Sequence, residues 1–164
     1  MARARSTSTA TACSRTSARA ACGPLAIARP SILVVAAALY DAAGRVLIAQ
    51  RPPGKHMAGR WEFPGGKVAR AEGERAALAR ELAEELGIRV EAASPLMRLT
   101  HPYPDRDVEL SLWVIERYGG EPAALEGQAL KWVAPGELCG ADLLEADRPF
   151  IEALAVLPAP VRSP

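Results

Sequence analysis

The sequence predicts an α/β fold: a mixed β-sheet with one helix inside the chain and a second at its end. Three observations carry this expectation. Leu78, Leu82 and Leu86 recur every four residues, the spacing of one helical face. Val108, Leu110, Leu112 and Val114 alternate along the chain, the period of a half-buried strand. Ile32 to Tyr40 is the longest apolar run, too short for the ~18 residues that cross a bilayer, and reads as a buried strand.

In chain order, Ser31–Tyr40 is the first strand. Asp41-Ala42-Ala43-Gly44 has Asp first and Gly last, as a type I turn prefers, so Arg45–Arg51 is expected to return as the second strand of a hairpin. Pro52–Arg60 is a loop rich in Pro and Gly. Trp61-Glu62-Phe63 is short and extended because Pro64 follows. Gly65-Gly66 permits a sharp bend and a close backbone approach to a ligand. The internal helix begins near Gly73 and closes at Gly87, a C′ glycine. Arg89–Pro102 is strand-like, Asp107–Arg117 is the alternating strand, and Gly119–Gln128 is a loop. Leu130–Val133 is a short strand that Pro135 ends. Asp147–Leu157 is the final helix, with Pro149 near its first turn.

With 164 residues the chain fits one domain with a sizeable core. The formal net charge is +1, but residues 1–30 hold five Arg and no acid, leaving 15 basic and 19 acidic residues beyond them. The basic excess is confined to the tail and gives no reason to expect binding to a nucleic-acid polymer. Residues 1–30 lack apolar periodicity and are expected to be disordered. Their Arg- and Ser-rich, acid-free composition also fits an organellar transit peptide; an upstream start codon yielding a tail without a role is the preferred account. Residues 31–158 then form the domain, and 159–164 a frayed end. Cys13, Cys22 and Cys139 form no CxxC pair, as expected in a reducing compartment.

Glu81, Glu84 and Glu85 stand at i, i+3 and i+4, so their carboxylates converge beside the leucine face. Such a set is either a solvated acidic face or a source of oxygens for a hard divalent cation. Arg80 sits beside Glu81 and is placed to hold a carboxylate.

The wider pattern decides between those readings. Gly66, five residues, Glu72, seven residues, then Arg80-Glu81-Leu82-Ala83-Glu84-Glu85-Leu86-Gly87-Ile88 resembles the Nudix box at every defining position. Gln50-Arg51, His56-Met57, Trp61 to Lys67, Tyr103 to Arg106, Glu126-Gly127-Gln128 and Ala146-Asp147 further resemble the MutT group, which hydrolyses oxidised guanine nucleoside triphosphates. The resemblance spans roughly Ile32 to Leu154. It implies the Nudix fold, a mixed β-sheet in an α/β/α sandwich.

It also implies a set of site residues. Glu81, Glu84 and Glu85, with the carbonyl of Gly65, match metal ligands; Glu72 matches the outer acid of the box, and Glu126 a further metal contact. Mg2+ is the expected ion, with Mn2+ as an alternative. Glu81 or Glu126 would be the general base, and Arg80 belongs with the catalytic set. Arg51 and Arg106 match contacts to phosphate and base, His56 a loop position, and Phe63 and Tyr103 the flanks of the purine. The alternatives are surface arginines, a solvated histidine and core aromatics. Asp147 aligns with the asparagine that reads the oxidised guanine. Ionised Asp only accepts hydrogen bonds, and it is also a favoured helix N-cap, where the helix N-terminus would keep it ionised.

The function implied is metal-dependent hydrolysis of a nucleoside triphosphate, foremost 8-oxo-dGTP to 8-oxo-dGMP and pyrophosphate, by a cytoplasmic monomer with no membrane partner. The alternatives are a pyrophosphohydrolase of CTP, dCTP or other pyrimidine nucleotides, and a binding-only module for damaged bases.

Overall fold

A computed structural model describes residues 30–157. The expectations for residues 1–29 and 158–164 lie outside them. Seven strands and two α-helices follow in the order β1 (Ser31–Leu39), β2 (Val46–Gln50), β3 (Trp61–Glu62), β4 (Gly65–Lys67), α1 (Glu74–Leu86), β5 (Arg89–Pro102), β6 (Asp107–Gly119), β7 (Leu130–Val133) and α2 (Arg148–Ala155). Two 3-10 turns, Pro135–Gly140 and Glu145–Asp147, lead into α2.

The strands form two sheets. The larger is ordered β4-β1-β6-β5, with β1 and β6 parallel and the other pairs antiparallel. The smaller is β3-β2-β7, antiparallel throughout. The expected hairpin between the first two strands is therefore corrected. Its turn forms, with Gly44 N–H donating to Asp41 C=O and Ala43 N–H to the Asp41 carboxylate. Only one bridge, Tyr40 to Val46, joins the strands beyond it. Both edges of β1 are taken, by β4 and β6, so the wholly buried Val46–Ala49 run pairs elsewhere.

Alternation along β1 divides the interior. Val35, Ala37 and Leu39 pack with Ala77, Leu78, Leu82 and Leu86 of α1. Ala36, Ala38 and Tyr40 face the other way, into a cluster with Phe63, Leu112, Phe150 and Leu154 of the α2 side. Helices thus cover opposite faces, the layering expected of an α/β/α sandwich. The α1 leucines are fully buried. Gly87 ends α1 with φ 69°, its N–H reaching Ala83 C=O while Ile88 N–H returns to Leu82 C=O, the closure a C′ glycine provides.

Gly65-Gly66 forms a strand rather than a bend, with Gly66 opposite Val35 and Gly65 opposite Ala36. The close approach is real, but to protein. A Cβ on Gly65, whose φ is 147°, would lie 2.1 Å from the Val35 carbonyl oxygen. One on Gly66 would lie 2.3 Å from the Glu81 carboxylate. These glycines let β4 lie flush on β1 and let α1 set Glu81 against the strand.

Candidate active site

A cavity of about 710 Å³ opens where β1, β4, α1 and the loops after β2, β5 and β7's approach meet. Apolar groups from Ile32, Val34, Phe63, Val108 and Leu110 line one part of it, and the carboxylates of Glu81, Glu85 and Glu126 another. Arg51, His56, Gly65, Tyr103, Arg106 and Asp147 line it too. The structure therefore brings together most of the residues expected to bind metal, phosphate and base.

Helix geometry sorts the acidic set. At about 100° per residue, Glu85 lies about 40° from Glu81 around α1, and Glu84 about 60° to the other side. Glu81 and Glu85 face the cavity, whereas Glu84 is largely exposed and accepts from Arg80 Nη1 at 3.3 Å. Glu72 also stays outside. Its carboxylate takes Arg80 Nε and Nη2, each at 3.0 Å, and the Ala69 N–H at 2.9 Å. Arg80 holds Glu72 well below the usual carboxylate range, and the Ala69 N–H adds to this. Glu72, Glu84 and Arg80 therefore stand together as an ion-pair cluster beside the cavity rather than in its lining. The guanidinium, which also donates to Glu81 at 2.9 Å and to the Lys67 carbonyl at 3.1 Å, is a clamp outside the cavity.

Glu85 is the most perturbed carboxyl of the acidic face. Burial pushes its pKa up to about 7; the Gly65 N–H it accepts at 3.1 Å opposes this, and the charges of Glu126, Glu62 and Glu81 reinforce it. Like charges crowded in a partly dry site raise a carboxyl in this way. A divalent cation would relieve that crowding, and the oxygens of Glu81, Glu85 and Glu126 are the hard donors it prefers, so the residues present fit such an ion. Among the described residues, no three His, Cys, Asp or Glu side chains already stand as a closed metal cage. Arg80 draws on Glu81, and the Lys55 ammonium holds Glu126 at 2.9 Å.

The loop carrying Glu126 is tied to the end of α1. Leu125 N–H and Gln128 Nε2 both donate to the Glu85 carbonyl, at 3.1 and 2.8 Å, and Ala123 N–H to that of Leu86. These are terminal carbonyls that lack helical partners. Gln128 also accepts the Glu126 N–H at 2.9 Å. It is buried, and sequence reasoning assigned it no role; an amide two residues beyond the acid across a glycine was the available signal.

At the base end, Phe63 is both core and wall. It packs edge-to-face on Phe150 at 6.2 Å and is 3% exposed. Tyr103 is half-buried, edge-on to His101 at 4.8 Å. Arg51 donates to the Glu62 carboxylate and, through Nε, to the His56 carbonyl at 2.7 Å. Arg106 is paired with Asp105. Glu62 is a second residue to which sequence reasoning gave no role. Burial raises its carboxyl, and Arg51 pulls it back.

Asp147 departs from expectation. It occupies the N-cap position of α2 but makes no side-chain capping bond. Its Oδ2 accepts the Phe63 N–H at 3.3 Å, and it is 4% exposed. Burial, then the charge of Glu62, pushes its pKa up to about 7 against the pull of the Phe63 N–H and Arg51. The expectation that the helix N-terminus keeps it ionised is corrected: desolvation dominates, and near neutral pH the carboxyl exists in both forms.

A NUDIX domain model matches residues 35–153. The chain is 39% identical over 128 residues to the CTP pyrophosphohydrolase of Escherichia coli (strain K12), covering 78% of this chain and 95% of that protein. It is 38% identical over 109 residues to the 8-oxo-dGTP diphosphatase of the same organism, covering 66% of this chain and 84% of that one. Among solved structures, the solution structure of the E. coli ORF135 protein matches with a TM-score of 0.72 at 40% identity, over 82% of this chain and 95% of its own.

Proposed function

The chain belongs to the Nudix hydrolase family, and from that premise we propose that it is a nucleoside triphosphate pyrophosphohydrolase acting on 8-oxo-dGTP. Water would add to the triphosphate chain and the α–β phosphoanhydride bond would break, giving 8-oxo-dGMP and pyrophosphate. The observation that carries this reading is the shared cavity: Phe63, Tyr103 and Asp147 line it together with Glu81, Glu85 and Glu126. One wall suits a flat base, and the acidic wall suits a metal-bearing triphosphate.

Nudix hydrolases depend on a divalent metal; here Glu81, Glu85 and Glu126, with the Gly65 backbone, would hold it, and Mg2+, or Mn2+, would supply charge neutralisation and an activated water. Arg80 fixes the Glu81 carboxylate, and Gln128 fixes the backbone that carries Glu126, so both are supported before substrate arrives. Glu126 or Glu81 would take the proton that the attacking water gives up. Phe63 and Tyr103 would flank the base, and Arg51 and Arg106 would contact base or phosphate. We place residues 31–158 as the catalytic domain, working as a monomer in the cytoplasm. Among the described residues, no helix is long and apolar enough to cross a membrane.

A second reading, hydrolysis of CTP or dCTP, is favoured by Asp147, a carboxyl where the MutT pattern has an amide, and by the likeness to the CTP pyrophosphohydrolase. A binding-only module is disfavoured by the intact Glu81, Glu84 and Glu85 set.

Magnesium-dependent pyrophosphate release, measured for 8-oxo-dGTP, dGTP, CTP and dCTP at pH 6 and pH 8, tests all three readings. Ionised Asp147 accepts the N7–H of 8-oxoguanine but opposes the N7 lone pair of dGTP, whereas the protonated acid donates to that lone pair. The kcat/KM ratio of 8-oxo-dGTP over dGTP should therefore rise about tenfold from pH 6 to pH 8, the scale of one hydrogen bond to a charged group. In D147N the ratio should be flat across that range. A preference for CTP at both pH values would replace the first reading by the second, and no pyrophosphate release would favour the binding module.

A further inference from the structure

Lys55 has no role in the reading above, yet it lines the same cavity. It sits in the loop between β2 and β3, and its ammonium spans to Glu126 of the loop before β7, 71 residues away, at 2.9 Å. Both side chains are nearly half exposed, 47% and 43%, so the pair closes across the cavity mouth in contact with water. The charges of Glu85 and Glu62 act on the same ammonium.

The loop that carries Lys55 is anchored at its root. Arg51 N–H donates to Arg60 C=O and Gly59 N–H to Arg51 C=O, each at 2.9 Å, and Gln50 Nε2 to Gly59 C=O at 2.8 Å. Within it, Ala58 N–H returns to the Lys55 carbonyl at 3.1 Å. The next residue but one, Met57, has φ 59°, a conformation uncommon for a side chain of that size and typical of loops held in a functional shape. The Cα of Lys55 is thus fixed at the rim while its four-carbon stem remains free to swing.

The two arginines that line the cavity are committed. Arg51 is held by Glu62 and the His56 carbonyl, and Arg106 by Asp105. Lys55 differs in that its partner is a carboxylate that the proposed metal site claims. Two cations cannot share one exposed carboxylate without repulsion.

Resting on the metal-site reading, we propose that Lys55 is a substrate-positioning residue that exchanges partners. With no metal bound, it occupies Glu126. With Glu126 engaged by a metal, the Lys55 ammonium would be free to turn to the phosphate oxygens of a triphosphate held in the cavity. Lys55 thereby competes with the metal in the nucleotide-free protein and assists the nucleotide in the loaded one.

K55M, K55R, E126Q and the K55M/E126Q double variant test this. Mn2+ binding to the nucleotide-free proteins is read by electron paramagnetic resonance titration, and KM and kcat with Mg2+ and 8-oxo-dGTP. K55M should bind Mn2+ about two- to fivefold more tightly, the scale of an exposed ion pair removed from competition. That gain should vanish in the E126Q background. In the kinetic arm, KM should rise about tenfold in K55M with kcat changed less than about threefold, and K55R should recover most of it. No tightening in K55M, a gain that persists in E126Q, or an unchanged KM each overturns the exchange. E126Q binding Mn2+ as tightly as the wild type overturns the metal assignment of Glu126 itself, and the proposal with it.

Discussion

Glu85 shows how a single carboxyl is tuned by what surrounds it. Its pKa stands near 7, above the ordinary glutamate value, so the folded state holds the proton over the range where the unfolded chain has lost it. The folded protein therefore carries no penalty below about pH 4.5, loses stability as pH rises, and bears the full cost above about pH 7. In the metal-free protein, E85Q should raise the melting midpoint at pH 8 by about 2–10 °C, corresponding to roughly 1–3 kcal/mol, and leave it unchanged at pH 4.5. Turnover should fall by about two orders of magnitude or more, the scale of losing a group at the reacting charge. Calorimetry at the two pH values and a pyrophosphate assay check both halves. A stabilising substitution that sharply lowers activity is the signature of a site that keeps a buried, crowded carboxylate for a cation to compensate. Asp147 makes the complementary point: its type and position were legible in the sequence, but its protonation was not. Helix position pointed to an ionised cap; burial, and then the charge of Glu62, reversed it against the pull of the Phe63 N–H.

Adjacent glycines of β4 play unequal parts. Gly65→Ala would place a Cβ 2.1 Å from a backbone carbonyl, at φ 147°, and neither the Val35 oxygen nor the strand can yield cheaply. Gly66→Ala would meet only the end of the Glu81 side chain, which can swing away. G65A should therefore lower the melting midpoint by about 6–12 °C, for a strain of about 3 kcal/mol. G66A should keep its midpoint within about 2 °C yet lose at least about tenfold in turnover, because Glu81 is displaced. Thermal melts set beside assays separate the two cases. From the sequence, the pair was readable as a place of close approach. What approaches was not, because β1 and α1 reach β4 only through tertiary packing. The same limit explains the acidic face: the four-residue leucine repeat fixed α1 and its buried side, but the grip of Arg80 on Glu72 depends on a loop whose path has no period to read.

For the molecule as a whole, the described domain begins where the sheet does. Pro30 C=O accepts the Asp107 N–H at 2.9 Å, so a chain starting at Pro30 keeps every described hydrogen bond of β1. Removing residues 1–29 should leave the melting midpoint within about 2 °C and kcat/KM within about twofold, since that segment lacks the apolar periodicity needed to dock. A loss of several degrees in the shortened protein would mean that the segment packs on the domain. The internal helix and the strand at 108–114 were legible from their periods, while the two-helix layering came only with the resemblance to the Nudix family. The division into two sheets was not legible, because no local signal says that β1 takes β6 as its parallel neighbour. That pairing joins Ser31 to Asp107 and Leu39 to Ile115, a separation of 76 residues. During synthesis at about 5–20 residues per second, the Val34–Leu39 run would wait roughly 4–15 s for its partner to leave the ribosome. Throughout that interval one edge of the most apolar strand is open to other chains. The central pairing of the sheet thus sets a clock on biogenesis, and the newborn chain is most exposed to aggregation before its last third has been made.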